Sequence, residues 1–150
     1  MTRRKSSDTF TVDERSRIMR AVKAKGTKAE ADALRLLRRL GLRFQAHPDD
    51  LQGRPDFVNA RLRVAIFVDG DFWHGRWWRR GGKLPVANRS YWVAKLKRNV
   101  ARDRRTDRLL RRRGWSVLRI WESDIQRDPA SVLNLLRGRL ARRRRDSRSR

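Results

Sequence analysis

The sequence predicts an α/β fold, a single domain in which a mixed sheet carries helices on both faces. The length of 150 residues is typical of one domain. Apolar residues recur at helical spacing on either side of several short alternating or continuous apolar runs. The predicted order is helix, helix, three strands, helix, strand and helix, and a strand that returns after a helix favours parallel pairing within an otherwise antiparallel sheet.

The N-terminal part of the chain is predicted to contain two helices. Residues 1–10 show no periodic pattern and are expected to be flexible. A capping box opens at Thr11, and the apolar spacing that follows predicts a helix over 12–23. A second capping box opens at Thr27 and begins an apolar stripe that stops at Gly41, a natural helix end.

Strands occupy the middle of the sequence and return near its end. Apolar and polar residues alternate over 42–47, as in a strand with one buried face. A loop over 48–55 leads to a short extended segment at 56–59. The continuous apolar run at 64–68 predicts a strand buried on both faces, and 115–121 predicts the last strand.

The remaining segments are a loop and two helices. Residues 69–87 are rich in Gly, Trp and Arg and predict a long surface loop, a feature that is usually functional. A long helix is predicted over 90–113. Asp128 followed by Pro129 predicts the start of a final helix. Its inward residues are Val132, Leu133, Leu136 and Leu140.

The charge of the chain points to a polyanionic partner. The sequence has 41 Lys and Arg against 16 Asp and Glu, a formal net charge of +25. Such an excess favours nucleic acid over an anionic membrane surface, because no basic segment has a clean lipid-facing side. Residues 137–150 hold eight Arg and one Asp, so we expect a folded domain over 11–140 and a basic disordered tail over 141–150.

Several protein classes are excluded by composition. No apolar run approaches the ~20 residues that span a bilayer, and the N-terminus lacks the apolar segment of a signal peptide. The chain has no Cys, which excludes disulfides, thiolate nucleophiles and Cys-based zinc sites. We therefore expect a cytoplasmic, nucleoid-associated monomer.

The residues best suited to chemistry lie at neighbouring strand ends. Asp56 begins one predicted strand, and Asp69 follows the next one. Carboxylates at adjacent strand ends can share a hard cation such as Mg²⁺. His74 follows closely and is the natural general base near neutral pH. The alternatives are that the aspartates serve as turn or cap residues and that the histidine serves in packing.

Aromatic residues are concentrated in the same loop. Three of the six Trp lie within residues 72–78, interleaved with Arg and Gly. Aromatic side chains on a polar loop can stack on bases or insert between them while Arg binds phosphate. The alternative is a loop folded over a small aromatic core of its own.

The chain resembles the very short patch repair (Vsr) endonucleases, a family that nicks mismatched DNA. The resemblance rests on RSRIMRA at 15–21, GRPDF at 53–57, IFVDGDFWH at 66–74, WVAKLKRN at 92–99 with RDRR at 102–105, and GWSVLRIWE at 114–122. It implies a restriction-endonuclease-like fold with an αβββαβ core, with which the predicted order of elements agrees.

The resemblance implies roles for individual residues. Asp56 corresponds to the metal-binding aspartate, and the Val68 carbonyl to a second protein ligand of Mg²⁺. His74 corresponds to the base that activates water, oriented by Asp103. Glu30 would belong to the outer part of the metal site.

The resemblance also implies DNA contacts. An aromatic wedge inserted beside the mispair would consist of Phe72, Trp73 and Trp92. The residues at positions that face the mispaired bases are Met19, Lys95 and Asn99.

Two departures from the family pattern stand out. A second family histidine is here Asp69, which is expected either to strengthen metal binding or to act as a direct ligand. Members of the family hold a structural zinc through Cys and His, and no structural zinc is expected here. The corresponding positions are Asp71, Arg76, Trp78 and Ser123. Trp77 and Trp78 are expected to pack the loop instead.

The expected function is therefore nicking of one strand of duplex DNA beside a T:G-like mispair, dependent on Mg²⁺ with Mn²⁺ as a substitute. Repair proteins are the expected further partners. Two alternatives stay open within the same fold: a non-catalytic DNA-binding module and a nicking enzyme of a restriction or defence system. A basic protein that binds structured RNA is a third alternative, supported by charge alone.

Overall fold

The computed structural model describes residues 28–84 and 86–149, and the predicted helix over 12–23 lies outside these ranges. The described elements are α1 Lys28–Arg38, β1 Gln45–Ala46, β2 Phe57–Asn59, β3 Val64–Asp69, α2 Arg76–Arg79, α3 Arg89–Arg112, β4 Ser116–Trp121, α4 Glu122–Arg127 and α5 Pro129–Arg148. No described helix combines the length and the hydropathy needed to cross a membrane.

The strands form one four-stranded mixed sheet. Its order is β1-β2-β3-β4, in which β1 pairs with β2 and β2 with β3 antiparallel. β3 and β4 are parallel, with Val64 opposite Ser116 and Asp69 opposite Trp121. The long helix α3 supplies the crossover that this parallel pairing requires. The predicted mixed sheet and α/β class are confirmed.

Helices cover both faces of the sheet, and the alternation of β3 explains how. Val64 and Ile66 belong to a large apolar cluster with residues of α1, α4 and α5, for example Leu37 and Leu136. Ala65 and Phe67, on the opposite face, pack in a second cluster with Leu110 of α3. Because apolar side chains are needed on both faces, β3 is a continuous apolar run rather than an alternating one.

Three short elements differ from the sequence prediction, and the first is α2, a four-residue helix within the loop predicted over 69–87. The strand predicted over 42–47 pairs with β2 only at Gln45–Ala46, while Leu42 and Phe44 pack against the larger cluster. Helix α4 follows β4 directly and was not predicted, because six residues with a single buried side chain, Ile125, carry too little periodicity.

The prediction of a disordered tail over 141–150 is wrong for the described residues, because α5 continues to Arg148. The side chain of Arg143 anchors this extension to the body of the domain. Its Nε donates to the Leu62 carbonyl at 2.7 Å and its Nη2 to the Gly114 carbonyl at 2.5 Å. The basic composition of residues 141–150 indicated disorder, but Arg143 within this segment forms tertiary hydrogen bonds.

Replacing Arg143 by Met is expected to reduce the free energy of unfolding by about 1–2 kcal/mol, because two hydrogen bonds from a charged donor are lost. In a domain of this size that corresponds to a fall in Tm of roughly 2–8 °C. Arg144→Met is the matched control, because Arg144 is exposed and donates no side-chain hydrogen bond within the described structure. Equal Tm values for the two variants would contradict the anchoring role.

Candidate active site

The candidate active site lies where β2 begins and β3 ends. Asp56 directly precedes β2, and its Oδ2 accepts a hydrogen bond from the Val68 N–H at 2.7 Å. The Asp56 N–H donates to the Ile66 carbonyl at 2.9 Å. Since the N–H and C=O of one extended residue point to the same side of a strand, the Val68 carbonyl also faces the side on which Asp56 lies.

His74 and Asp103 form a hydrogen-bonded pair in the candidate site. The loop after β3 brings His74 to α3, where its Nδ1 lies 2.5 Å from Asp103 Oδ2. Although burial opposes it, the hydrogen bond with His74 lowers the pKa of Asp103. Asp103 is therefore an ionised acceptor, so Nδ1 carries the proton and Nε2 is the basic nitrogen.

The pKa of His74 reflects opposing influences. Burial lowers the pKa of the imidazole, but the hydrogen bond to Asp103 and the negative charge of Asp69 outweigh it, so the pKa lies above its ordinary value. His74 Nε2 is 3.6 Å from Asp69 Oδ1. His74 can act as a base at a pH above its raised pKa, where the imidazole is deprotonated.

Asp69 is held by an arginine rather than by the group around Asp56. Its side chain is 3% exposed, and both carboxylate oxygens lie 3.0 Å from Nη1 of Arg119 on β4. Burial raises the pKa of Asp69, although His74 and Arg119 oppose the rise. The expected metal-ligand role of Asp69 therefore competes with an ion pair that engages both of its oxygens.

A second group of acidic and imidazole ligands surrounds Asp56. Glu30 of α1, His47 after β1 and Asp56 each offer a ligand atom, and these atoms lie within 4.8 Å of one another. His47 Nε2 is 2.9 Å from Glu30 Oε2. The His47 N–H donates to the Asp56 carbonyl at 2.9 Å, which continues the strand pairing and fixes the position of His47.

This group fits a small divalent cation. Burial raises the pKa of Asp56 to about 6; the Val68 hydrogen bond opposes this rise and the charge of Glu30 adds to it. A bound cation would offset the cost of ionising a carboxylate in that position. Two carboxylates suit Mg²⁺ and Mn²⁺, and the imidazole of His47 is a better donor to Mn²⁺ than to Mg²⁺.

The aromatic residues of the predicted wedge form one cluster. The ring centroids of Phe72 and Trp73 are 5.0 Å apart, those of Phe72 and Trp92 5.6 Å, and those of Trp73 and Trp92 5.9 Å. Lys95 Nζ lies 5.1 Å from the centroid of the Trp73 ring, and Asn99 Nδ2 donates to the Trp73 carbonyl at 3.0 Å. The predicted DNA-contact residues thus come together, apart from Met19, which lies outside the described residues.

Three of the four positions that correspond to zinc ligands in the resemblance, Asp71, Arg76 and Ser123, form side-chain hydrogen bonds instead. Asp71 Oδ2 accepts from the Ser123 N–H at 3.0 Å and Asp71 Oδ1 from Ser123 Oγ at 2.6 Å. Arg76 Nη1 donates to Asp124 Oδ2 at 2.8 Å. These contacts tie the loop to α4. Trp77 is 52% exposed, but its indole lies against Gly82 and its Nε1 donates to the Lys83 carbonyl at 3.4 Å, so it packs within the loop as expected.

Two residues of the site were not predicted, although each left a signal in the sequence. His47 ends the alternating segment next to the loop that leads to Asp56, and the chain has only two His. Arg119 is a lone charged residue on an otherwise apolar strand, with the same parity as the buried Val117. A charge in that position requires a buried partner, and its partner, Asp69, is fifty positions away along the chain.

Comparisons with known proteins agree with this geometry. The family described as DNA mismatch endonuclease Vsr matches residues 7–80. The type II nicking enzyme V.NmeDIP of Neisseria meningitidis serogroup C is 39% identical over 118 residues, which cover 79% of this chain and 80% of the relative. The type II nicking enzyme V.NaeI of Lentzea aerocolonigenes is 40% identical over 128 residues, covering 81% and 76%. DNA mismatch endonuclease Vsr of Escherichia coli K12 is 40% identical over 108 residues, covering 72% and 69%.

Proposed function

Since this chain belongs to the Vsr family and is a DNA endonuclease, we propose that it nicks one strand of duplex DNA beside a mispaired base and depends on a divalent cation. The observation that carries the proposal is that the His74–Asp103 pair and the Asp56 group both lie where β2 begins and β3 ends. Phe72 and Trp73 of the aromatic cluster follow Asp69 closely in the chain, so DNA bases stacked on the cluster would lie next to the hydrolytic residues.

The protein's own residues account for proton transfer. Asp103 holds the Nδ1 proton of His74, so Nε2 is left to take a proton from the attacking water. As the imidazolium forms, the same carboxylate stabilises its charge. His74 therefore serves as the general base and Asp103 as the residue that orients it.

The cation would be held by Asp56, with Glu30, His47 and the Val68 carbonyl within reach. When bound, a divalent cation neutralises phosphate charge and favours the ionised form of a water ligand. Mg²⁺ is the proposed physiological ion, because two of the donors are carboxylates. The imidazole of His47 supports substitution by Mn²⁺.

Duplex DNA is the substrate that fits the charged surface. Arginines line an open groove beside α3, where duplex phosphates would bind; the lining residues include Arg102, Arg105, Arg108 and Arg112. Binding of this kind weakens steeply as salt rises, because counterions are released from DNA. A mispair is the site where opening the base stack costs least, which suits an aromatic cluster beside the hydrolytic residues.

Replacing Trp73 by Ala is expected to weaken binding of mismatched duplex by about 1–3 kcal/mol, because a stacking surface for a base is lost. Binding of a fully paired duplex should change much less, since its bases stay stacked. Trp77→Ala is the matched control, because Trp77 is 52% exposed and outside the aromatic cluster. An equal loss of affinity for both duplexes in Trp73→Ala would contradict insertion at the mispair.

A screen of end-labelled duplexes tests the proposed activity. Each duplex carries one of the possible mispairs, and each is incubated with Mg²⁺, with Mn²⁺ or with a chelator. The expected result is a single nick beside the mispair, with T:G preferred and no product in chelator. Equal nicking of a fully paired duplex would overturn mispair selection. Metal-dependent cleavage of no duplex would favour the non-catalytic DNA-binding module.

A role in a restriction system is the second candidate, because two of the relatives are named type II nicking enzymes. That role predicts a strong dependence on the bases that flank the mispair, whereas general repair predicts a weak one. Nicking rates for one mispair in a set of different flanking sequences, methylated and unmethylated, separate the two roles.

A further inference from the structure

Arg119 connects three aspartates, two of which contact His74. Its Nη1 is 3.0 Å from both oxygens of Asp69, and its Nη2 is 2.7 Å from Asp107 Oδ1. Nη2 also lies 3.5 Å from the Asp103 carbonyl oxygen and 3.8 Å from Asp103 Oδ1. The guanidinium thus contacts both carboxylates that flank the His74 ring.

The position of Arg119 is fixed by packing as well as by charge. Its guanidinium carbon lies 4.3 Å from the centroid of the Phe67 ring on the neighbouring strand β3, within the range of a cation–π contact. Its side chain is 17% exposed, close to the 16% of Asp107 and 18% of Asp103. A planar fork with donors on two edges can hold Asp69 and Asp107 at once, which a lysine cannot.

We propose that Arg119 is a positioning residue: by pairing with Asp69 it keeps that carboxylate from drawing the His74 ring away from Asp103. This proposal rests on the proposed function, since it concerns the same base. Asp69 Oδ1 is 3.6 Å from His74 Nε2, the nitrogen that must stay available for water. With Arg119 in place, both Asp69 oxygens are engaged.

Without Arg119 the electrostatic attraction of Asp69 for the His74 imidazole increases. Asp69 becomes a buried carboxylate without its guanidinium partner, and it then competes with Asp103 for the single N–H of the neutral His74 ring, which would be carried on Nε2 instead of Nδ1. A buried unpaired charge attracts the closest available donor strongly, because little water is present to replace it. The ring would move toward Asp69, and the bond between Nδ1 and Asp103 would lengthen.

Four variants separate this role from simple packing. Arg119→Met removes the charge and keeps an apolar stem against Phe67, and Arg119→Lys keeps the charge but loses the fork. The double variant Arg119→Met with Asp69→Asn removes both charges of the pair. Arg111→Met is the matched control, because Arg111 is 59% exposed and contacts Asp107 only at 3.9 Å.

The first readout is the imidazole Nδ1 proton of His74, observed by NMR in the protein without DNA or added cation. The chain has two His, so His47→Gln assigns the signal. Arg119→Met is expected to shift or broaden it, Arg119→Lys to do so partly, and the double variant to restore it. Because no substrate is present, this result is independent of whether the wild type nicks DNA.

The second readout is nicking. Arg119→Met is expected to lower kcat roughly 10- to 100-fold, as loss of an orienting contact does, while duplex affinity is unchanged and the double variant recovers part of kcat. A wild-type signal and kcat in Arg119→Met would overturn the proposal, as would a folded double variant no better than the single one. If Arg119→Met fails to fold, wild-type behaviour of Arg119→Lys would overturn it instead.

Discussion

Replacement of His74 by Ala is expected to reduce the rate of nicking by about 10²–10⁴-fold while leaving affinity for the duplex unchanged. The reason is geometric: the Nδ1 side of the ring is bound to Asp103 at 2.5 Å, and Nε2 is the basic nitrogen in the described site. The measurement is single-turnover nicking of a T:G duplex, with affinity taken from a binding titration in chelator.

Asp103→Asn provides the companion test of the same pair. An amide can accept from Nδ1 but carries no charge to stabilise an imidazolium, so a smaller loss than that of His74→Ala is expected. His47→Ala provides a contrasting loss of an imidazole: because His47 lies against Glu30 in the candidate cation site, its effect should be offset by a higher cation concentration, whereas the effect of His74→Ala should not. Nicking by His74→Ala at the wild-type rate would contradict the assignment of His74 as the general base.

Replacement of Asp56 by Asn is expected to reduce metal-dependent nicking by about 10²-fold or more, because the cation loses its most central ligand. The Asn oxygen can still accept the Val68 N–H, so the fold is kept. Asp50→Asn is the control, because Asp50 is an exposed carboxylate in the loop before Asp56. Binding of Mn²⁺, followed by its paramagnetic resonance, should fall in Asp56→Asn only.

The thermal stability of the protein tests the role of Asp56 without a measurement of nicking. The pKa of Asp56 is raised from 3.8 to about 6 in the folded protein, so the folded state binds more protons than the unfolded state between these values. Its contribution to the free energy of unfolding is therefore lost as pH rises from about 4 to about 6. Above that range Asp56→Asn should raise the Tm of the metal-free protein and abolish the increase that Mg²⁺ produces in the wild type. A metal-induced increase retained by the variant would contradict the assignment.

The sequence predicts most of the fold because its elements are encoded locally. The capping box at Thr27, helical spacing and the apolar run at 64–68 place the described elements within a few residues of their observed bounds. The short helices α2 and α4 and the ordered end of α5 were missed. Ile125 alone is too weak a pattern, and the anchoring of Arg143 to Leu62 is a contact between distant parts of the chain.

The residues of the candidate site divide in the same way, into those found in local motifs and those set by contacts between distant parts of the chain. Asp56, His74 and Asp103 were predictable because they lie in motifs that resemble a known family. His47 and Arg119 were not, because what each contacts is decided by strand pairing rather than by neighbouring sequence. Asp69 stands where the family pattern has a histidine. Its buried carboxylate is explained by the ion pair with Arg119, which is fifty positions away along the chain.

Strand-specific nicking of one T:G duplex whose two strands carry different labels tests the proposed activity most directly. With Mg²⁺ we expect a single product from one strand, cut beside the mispair, an intact complementary strand, and no product from the fully paired duplex. Cleavage of both strands, or no metal-dependent product from any mispaired duplex, would contradict the proposed activity.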